Sequence, residues 1–128
     1  MRYLHTMIRV GDLDRSINFY TDVLGFSLVS RNDYPEGEFT LAFLRAPGDA
    51  DGGPMLELTY NWGVASYDLG KGYGHIALQV ESMDAFAGQL AAHGQRFSWG
   101  PGKAPNGRTV IAFIVDPDGY QIELIEQH

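Results

Sequence analysis

The stretch Asp116-Pro-Asp-Gly-Tyr-Gln-Ile-Glu-Leu-Ile-Glu126 decides the fold of this chain. Its first four residues contain a proline and a glycine, which predict a tight turn. The residues that follow alternate polar with apolar, as a half-buried strand does. One face of this strand carries Ile122 and Leu124, and the other carries Gln121, Glu123 and Ile125. A solvated glutamate in such a strand is the ordinary interpretation until the rest of the chain is considered.

The same pattern occurs a second time, earlier in the chain. Leu56-Glu57-Leu58 matches Ile122-Glu123-Leu124 at an offset of 66 residues. His5-Thr-Met-Ile-Arg-Val10 matches His75-Ile-Ala-Leu-Gln-Val80 at an offset of 70, and a longer turn at 47–54 accounts for the difference. Internal repeats of this kind identify a duplicated architecture. Each half therefore opens with a histidine strand and closes with a glutamate strand.

The composition is that of a globular protein. The chain has 128 residues, of which 45% are hydrophobic, enough for one domain or for two half-size modules that share a core. A formal net charge of −7 argues against binding to nucleic acid, which requires basic surface. The absence of cysteine excludes disulfides and thiolate ligands. Neither a signal peptide nor a membrane-spanning run is recognisable, and we expect a cytoplasmic protein.

The order of predicted elements is β-α-β-β-β in each half, which indicates an α+β protein. We expect a single domain, 1–128, made of two βαβββ modules at about 1–61 and 73–128 that are joined by 62–72. Curved mixed sheets are expected to form a barrel-like site. The predicted strands are 3–10, 26–32, 39–45, 55–61, 74–80, 95–99, 109–115 and 120–126. The first helix is expected to start at Asp12 or Asp14 and to stop at Gly25, and the second is capped by Ser82 and stops at Gly94. Residues 100–107, rich in Gly and Pro, predict a mobile loop.

The repeated His and Glu residues suggest a metal site. Alternation places His5, Glu57, His75 and Glu123 on the faces opposite the apolar side chains of their strands. Two neutral imidazoles and two carboxylates would neutralise one divalent cation and leave positions open for substrate. Nitrogen and oxygen ligands suit Ni, Co, Zn, Fe or Mn better than Mg or Ca. A strand His or Glu is more often a solvated surface residue, but four at matched positions of a repeat favour the metal.

The chain resembles the bacterial glyoxalase I (lactoylglutathione lyase) group of the vicinal oxygen chelate superfamily. The resemblance extends over nearly the whole chain and is carried by the segments 4–13 (LHTMIRVGDL), 16–20 (SINFY), 57–63 (ELTYNWG), 73–78 (YGHIAL), 116–120 (DPDGY) and 122–125 (IELI). It implies that His5, Glu57, His75 and Glu123 are the metal ligands. It also implies substrate contacts at Arg9, Asn61 and His75, and a homodimer whose sites lie between subunits. Short bacterial members prefer Ni or Co, so Ni is expected here, with Co, Zn or Mn as alternatives.

The activity implied by the resemblance is methylglyoxal detoxification. The hemithioacetal of methylglyoxal and glutathione is converted to S-D-lactoylglutathione by proton transfer through an enediolate, with glutathione as the thiol co-substrate. We expect Glu123 to be the principal base and Glu57 to be a ligand that can serve the opposite face of the substrate. Lys103 and Arg108, which flank the Gly/Pro-rich loop, are weaker candidates for closing over the glutathione.

Other activities on the same fold remain as alternatives. A dioxygenase, or a thiol transferase that acts on an antibiotic, would need only two His and one Glu. A coenzyme A thioester epimerase shares the proton chemistry but resembles this chain less around Arg9 and Asn61. A non-catalytic small-molecule binding protein would lack the ligands. The complete set of two His and two Glu, together with the segment 57–61 (ELTYN), favours the lyase over all three.

Overall fold

Each half of the chain forms a four-stranded mixed sheet with one helical segment. The computed structural model describes residues 1–127, and His128 lies outside the described residues. The first half contains β1 (His5–Arg9), α1 (Leu13–Asn18), β2 (Ser27–Tyr34), β3 (Phe39–Arg45) and β4 (Met55–Asn61). The second contains β5 (His75–Val80), α2 (Met83–Ala92), β6 (Trp99–Lys103), β7 (Val110–Val115) and β8 (Gln121–Glu126). The predicted β-α-β-β-β order is confirmed in both halves.

The two sheets share one topology. The strand order is β1-β4-β3-β2 in the first sheet and β5-β8-β7-β6 in the second. In each, the histidine strand pairs in parallel with the glutamate strand, and the other pairs are antiparallel. Parallel neighbours need a long crossover, and the helix and two intervening strands supply it. Both sheets are open arrays with edge strands, so the predicted barrel-like closure is not formed by either.

The chain separates into two compact units, Met1–Asp68 and a second unit that starts at Leu69. The boundary falls inside the predicted connection 62–72. Residues 62–68 therefore belong with the first unit. Each unit buries its own apolar side chains between its sheet and its helical segment.

The core of the first unit lies on the sheet face that carries the helix. Strand alternation puts Ile8, Leu44 and Leu58 on this face, and all three are buried. The helical segment contributes Ile17 and Tyr20, of which Tyr20 is fully buried. Apolar burial of this kind is the dominant stabilising term in folding. The reverse face of the sheet is thereby left for polar side chains.

The start of the first helix is fixed by Asp12. Its side chain accepts a hydrogen bond from the backbone N–H of Arg15 at 3.1 Å, as an N-cap residue does. Asp14, the other predicted start, forms an ion pair with Arg31 at 2.5 Å. The helix continues as a π-helical segment, Phe19–Val23, which the periodicity did not predict. It ends before Gly25, whose φ of +80° places it in the left-handed region that favours glycine.

The second helix is capped from two directions. The Ser82 side chain accepts from the backbone N–H of Ala85 at 3.1 Å, which confirms its predicted role. Glu126, at the end of β8, accepts from the backbone N–H of Met83 at 2.7 Å. The glutamate strand therefore also anchors the helix start, where negative charge is favourable.

The strand predicted at 95–99 is wrong, and so is the loop assignment of residues 100–103. The observed strand, β6, spans Trp99–Lys103 and pairs with β7 through Trp99 opposite Phe113 and Lys103 opposite Val110. Gly and Pro in this segment indicated a loop, but Gly102 instead makes room for the Trp99 ring. A Cβ at Gly102 would lie 2.8 Å from that ring. The turn that remains is held by Asn106, which accepts the backbone N–H groups of Arg108 and Thr109.

None of the helices in residues 1–127 has the length and apolar character required to cross a bilayer.

Candidate active site

The first His–Glu pair is assembled across the parallel strands of the first unit. Met7 on β1 lies opposite Glu57 on β4, so His5 is one diagonal position away on the same face. The His5 Nε2 atom lies 2.8 Å from Glu57 Oε1. In each unit, we call the sheet face that carries the histidine and the glutamate the site face. The predicted placement of His5 and Glu57 on one face is confirmed.

Glu57 is buried because its neighbours on the site face cover it. Phe43 lies opposite Glu57 on β3, and its ring packs edge-on against His5 with centroids 5.5 Å apart. The side chain of Glu57 is 11% exposed, whereas that of His5 is 38% exposed. The Thr59 hydroxyl donates to the second carboxylate oxygen of Glu57 at 3.4 Å. The carboxylate is therefore held at both oxygens.

The second unit repeats the arrangement at the equivalent positions. Ala77 on β5 lies opposite Glu123 on β8, and His75 Nε2 is 3.2 Å from Glu123 Oε1. Phe113 packs edge-on against His75 with centroids 5.3 Å apart. Glu123 is slightly more exposed than its counterpart, at 17% of its side chain. The duplication therefore preserves the pair and also the aromatic ring beside it.

An open cavity of about 930 Å³ lies on the site face of the second unit. Its lining includes His75 and Glu123 together with the apolar side chains Trp99, Pro105, Ile111, Phe113 and Val115. Clefts that are largely apolar with a few convergent polar groups are typical of small-molecule sites. The cavity thus places an apolar chamber directly beside one His–Glu pair.

The predicted substrate contacts Arg9 and Asn61 both lie on the site face of the first unit. Arg9 is opposite Thr59 in the β1–β4 pairing, and Asn61 is the next residue along β4 on the same face. The Asn61 Nδ2 group donates to the hydroxyl of Tyr67 at 2.9 Å. Tyr67, in the connection after β4, was not among the residues that the sequence indicated.

The two loop cations differ in their placement. Lys103, on β6, lines the cavity of the second unit. Arg108 lies in the turn held by Asn106 and does not line that cavity. Of the two weaker candidates, only Lys103 is brought to the cavity that His75 and Glu123 line.

The donor set of each pair suits a transition-metal cation. In both pairs an imidazole nitrogen and a carboxylate oxygen face each other, and nitrogen and oxygen ligands without sulfur are typical for Ni, Co, Zn or Mn. Within residues 1–127 no three or more His, Asp or Glu side chains cluster as a metal site would require. Each pair by itself offers one nitrogen and one oxygen donor.

Four residues beside the predicted ones were not singled out from the sequence: Phe43, Phe113, Thr59 and Tyr67. Phe43 and Phe113 recur in the repeat as Ala-Phe, and the strand alternation places them on the glutamate face, so they could have been found. Thr59 could have been found in the same way, because it lies two residues after Glu57 and therefore on the same face of the strand. Tyr67 lies in an irregular segment, and no periodicity places its hydroxyl near Asn61.

Comparisons with known proteins point to one family. The family model for the Glyoxalase/Bleomycin resistance protein/Dioxygenase superfamily matches residues 2–124. A probable lactoylglutathione lyase of Synechocystis sp. is 52% identical over 126 residues, which cover 98% of this chain and 95% of the relative. The lactoylglutathione lyase of Salmonella typhimurium is 50% identical over 126 residues, which cover 98% and 93%.

A solved structure extends the similarity to three dimensions. Glyoxalase I from Zea mays superimposes with a TM-score of 0.90 at 43% sequence identity over 98% of this chain. The match covers 44% of the maize chain, so this chain spans less than half of that protein's length. With the superfamily model and the curated relatives, this similarity means that the chain belongs to the lactoylglutathione lyase (glyoxalase I) family of the Glyoxalase/Bleomycin resistance protein/Dioxygenase superfamily.

Proposed function

We propose that the protein is a metal-dependent glyoxalase I. It would convert the hemithioacetal of methylglyoxal and glutathione to S-D-lactoylglutathione, a lyase activity that detoxifies methylglyoxal. The observation that carries this proposal is the matched pair of His–Glu contacts, one on each sheet, in a chain about 50% identical to lactoylglutathione lyases over nearly its full length. The dioxygenase and thiol transferase alternatives need only two His and one Glu, and the epimerase alternative resembles this chain less around Arg9 and Asn61.

One divalent cation per site is proposed, held by His5, Glu57, His75 and Glu123. When bound, such a cation acts as a Lewis acid for the two neighbouring substrate oxygens on which negative charge develops. Nickel is the proposed metal, with Co, Zn and Mn as the alternatives. The nitrogen and oxygen donors of the two pairs support a metal of this group over Mg or Ca.

Glu123 is the proposed base that moves the proton between adjacent carbons. Both glutamates contact a histidine, but Glu57 is also held by the Thr59 hydroxyl, and Ile125 replaces that threonine beside Glu123. The Glu123 carboxylate contacts its histidine at the longer distance and is the more exposed. It is therefore freer to turn toward a substrate carbon, and it faces the cavity. Glu57 is proposed as a ligand and as the partner on the opposite face.

The substrate is proposed to contact both the polar site face of the first unit and the apolar cavity of the second unit. Arg9 provides a fixed cation for a glutathione carboxylate, and Asn61 provides an amide that both donates and accepts. His75 borders the cavity and is proposed to contact the substrate there. The apolar wall around Phe113 fits the methyl group of methylglyoxal and excludes water from the reacting carbons.

A homodimer is also proposed, in which a pair of one subunit meets the other pair of its partner, the arrangement that the family resemblance implies. Exposed apolar side chains on the site faces, among them Met7, Tyr34 and Trp99, support burial against a second copy of the chain. Because the proposed reaction consumes a reduced thiol, a cytoplasmic location is proposed, where glutathione is kept reduced.

The activity is tested by metal reconstitution. Protein stripped of metal is given Ni, Co, Zn or Mn, and thioester formation from methylglyoxal and glutathione is followed. The stripped protein should be inactive and the Ni-loaded protein the most active. Absence of thioester formation with all four metals would contradict the proposed function.

The subunit arrangement is tested by mixing two inactive variants, His5→Ala and Glu123→Gln. If sites combine the first unit of one subunit with the second unit of its partner, a mixed dimer contains one intact site and regains activity. If every site lies within one chain, the mixture stays inactive. A matched mixture of His5→Ala with Glu57→Gln, in which both changes lie in the same unit, should remain inactive in either case.

A further inference from the structure

The connection after β4 returns to the site face and places a tyrosine hydroxyl on Asn61. The Asn61 Nδ2 group donates to Tyr67 Oη at 2.9 Å, and both residues are half-buried. Six residues separate them in the chain, so the contact depends on how the segment between them is folded. Tyr67 and Asn61 both belong to the first unit.

Three contacts fix the path of this segment. The backbone N–H of Val64 donates to the carbonyl of Asn61, and Gly63 between them has a φ of +82°, which closes a tight turn. The Trp62 indole N–H donates to the Thr40 hydroxyl at 2.9 Å.

Further along, the backbone of Ala65 passes so close to Gly11 that a Cβ at Gly11 would lie 1.9 Å from the Ala65 carbonyl oxygen. A side chain at position 11 would therefore displace the segment. The approach of Tyr67 to Asn61 is thus built into the fold of the first unit.

We propose that Tyr67 is a positioning residue for glutathione recognition, which rests on the proposed function. One N–H of the Asn61 amide is used by Tyr67, so the amide oxygen is presented as an acceptor on the site face. The hydroxyl of Tyr67 accepts this bond and keeps its own proton to donate. Without the tyrosine hydroxyl, the amide could rotate and exchange its oxygen for its nitrogen at little cost.

The Asn61 amide and the Arg9 guanidinium match the chemistry of one end of glutathione. The γ-glutamyl end carries an ammonium and a carboxylate on the same carbon. The Asn61 oxygen accepts from the ammonium, whereas the Arg9 guanidinium, which lies opposite Thr59 on the same face, binds the carboxylate. The glycyl end of glutathione has a carboxylate only and no ammonium for the Asn61 oxygen to bind.

The test compares Tyr67→Phe with Tyr60→Phe. The hydroxyl of Tyr60 accepts the backbone N–H of Gly63 in the same connection but does not contact Asn61, so it is a matched control. Tyr67→Phe should raise the KM of the glutathione hemithioacetal by about threefold to tenfold, as expected for loss of one hydrogen bond, and leave kcat within about twofold. Calorimetric titration with S-methylglutathione should give the same loss in affinity without turnover.

The thiol supplies the second control. With N-acetylcysteinylglycine, which lacks the γ-glutamyl ammonium and carboxylate, Tyr67→Phe and the unmodified protein should have equal KM. An equal rise in KM for both thiols, or a fall in kcat without a change in KM, would overturn the positioning role. Added to Asn61→Ala, the Tyr67→Phe change should have no further effect, because contacting residues that act together are not additive.

The failure of this inference is distinguishable from failure of the proposed function. If the unmodified protein turns over the glutathione hemithioacetal and Tyr67→Phe has an unchanged KM, only the role of Tyr67 is overturned. If the unmodified protein neither turns over the hemithioacetal nor binds S-methylglutathione, both are overturned.

Discussion

The two units of this protein carry the same His–Glu pair in different surroundings. In both, the imidazole and the carboxylate meet across a parallel strand pair, with a phenylalanine packed edge-on against the histidine. Around the pair the site faces differ. The first unit has Arg9, Thr59 and Asn61, whereas the equivalent positions of the second have Gln79, Ile125 and Gln127. The second unit instead has an apolar cavity beside its pair.

This difference indicates a division of roles between the repeats. The pair, and the buried apolar side chains on the opposite face of its strands, occur in both halves. The flanking positions differ: the first unit has a cation, a hydroxyl and a short amide where the second has two glutamines and an isoleucine, and only the second has an apolar cavity beside them. A substrate with a charged peptide portion and a small apolar reacting portion needs both surfaces. Neither half alone provides them.

The largest effect is expected from the two glutamates. Glu123→Gln should lower kcat by about 10²- to 10⁴-fold, because an amide cannot accept the proton that a general base removes. Glu57 is the proposed metal ligand whose carboxylate is also fixed by the Thr59 hydroxyl. Glu57→Gln should therefore lower metal content more than Glu123→Gln does. Both are measured as kcat per bound metal, with metal content determined by elemental analysis.

The reverse result would change the assignment of roles. If Glu57→Gln lost more activity per bound metal than Glu123→Gln, the base would lie in the first unit, and the cavity would not mark the reacting end. Near-normal turnover in Glu123→Gln would remove it from the base role altogether.

The second effect concerns the equivalent cores of the two units. Leu58 and Leu124 are equivalent residues of the repeat, and each is fully buried on the face of its strand opposite the glutamate. Replacing either with Ala should cost about 2–5 kcal/mol of unfolding free energy, from lost burial and the cavity left behind. Hydrogen exchange should report the loss mainly in β1–β4 for Leu58→Ala and in β5–β8 for Leu124→Ala. A change below about 1 kcal/mol in only one of them would mean that the two cores are not equivalent.

The sequence predicted the repeated features well, and it failed where a residue acts outside the repeat. Glu57 and Glu123 were placed on the correct faces because a strand alternates with period two whatever surrounds it. The segment around Trp99 was misassigned, since its Gly and Pro content indicated a loop. The ring of Trp99 needs Gly102 beneath it, and that contact cannot be recognised from local composition.

Tyr67 illustrates the same limit within the candidate site. Its contact with Asn61 depends on a turn at Gly63 and on close passage over Gly11, two features that are far apart in sequence. Whether the two His–Glu pairs join around one cation depends on assembly, which the strand pattern does not encode. The four-ligand site therefore remains a prediction after the fold is known.

The third effect concerns Arg9 on the site face of the first unit and Gln79 at the equivalent position of the second unit. Arg9→Ala should raise the KM for the hemithioacetal by about 10- to 100-fold, as expected when a hydrogen bond to a charged group is lost. Metal content should be unchanged. Gln79→Ala, at the equivalent position of the second unit, is the matched control and should change KM by less than about twofold. Equal effects at the two positions would contradict the division of roles, and loss of metal in Arg9→Ala would make that residue structural.

The smallest effect concerns the equivalent tyrosines Tyr3 and Tyr73. Burial raises the pKa of the Tyr73 phenol above its usual range, and the nearby charge of Asp116 adds to this. The folded protein therefore keeps the Tyr73 proton after the unfolded chain has lost it, so this group's contribution to stability is present below pH ~10 and declines as pH rises through the folded pKa. Urea unfolding of Tyr73→Phe should accordingly lose less stability above pH ~10 than the unmodified protein. The substitution also removes the hydrogen bond that the Tyr73 hydroxyl donates to the Gln121 carbonyl. That loss does not depend on pH below the titration of the phenol. The quantity compared is therefore the slope of the unfolding free energy against pH, and not the urea midpoint at one pH. Tyr3→Phe, which removes an exposed hydroxyl, is the control, and identical slopes for Tyr73→Phe and the unmodified protein would contradict the prediction.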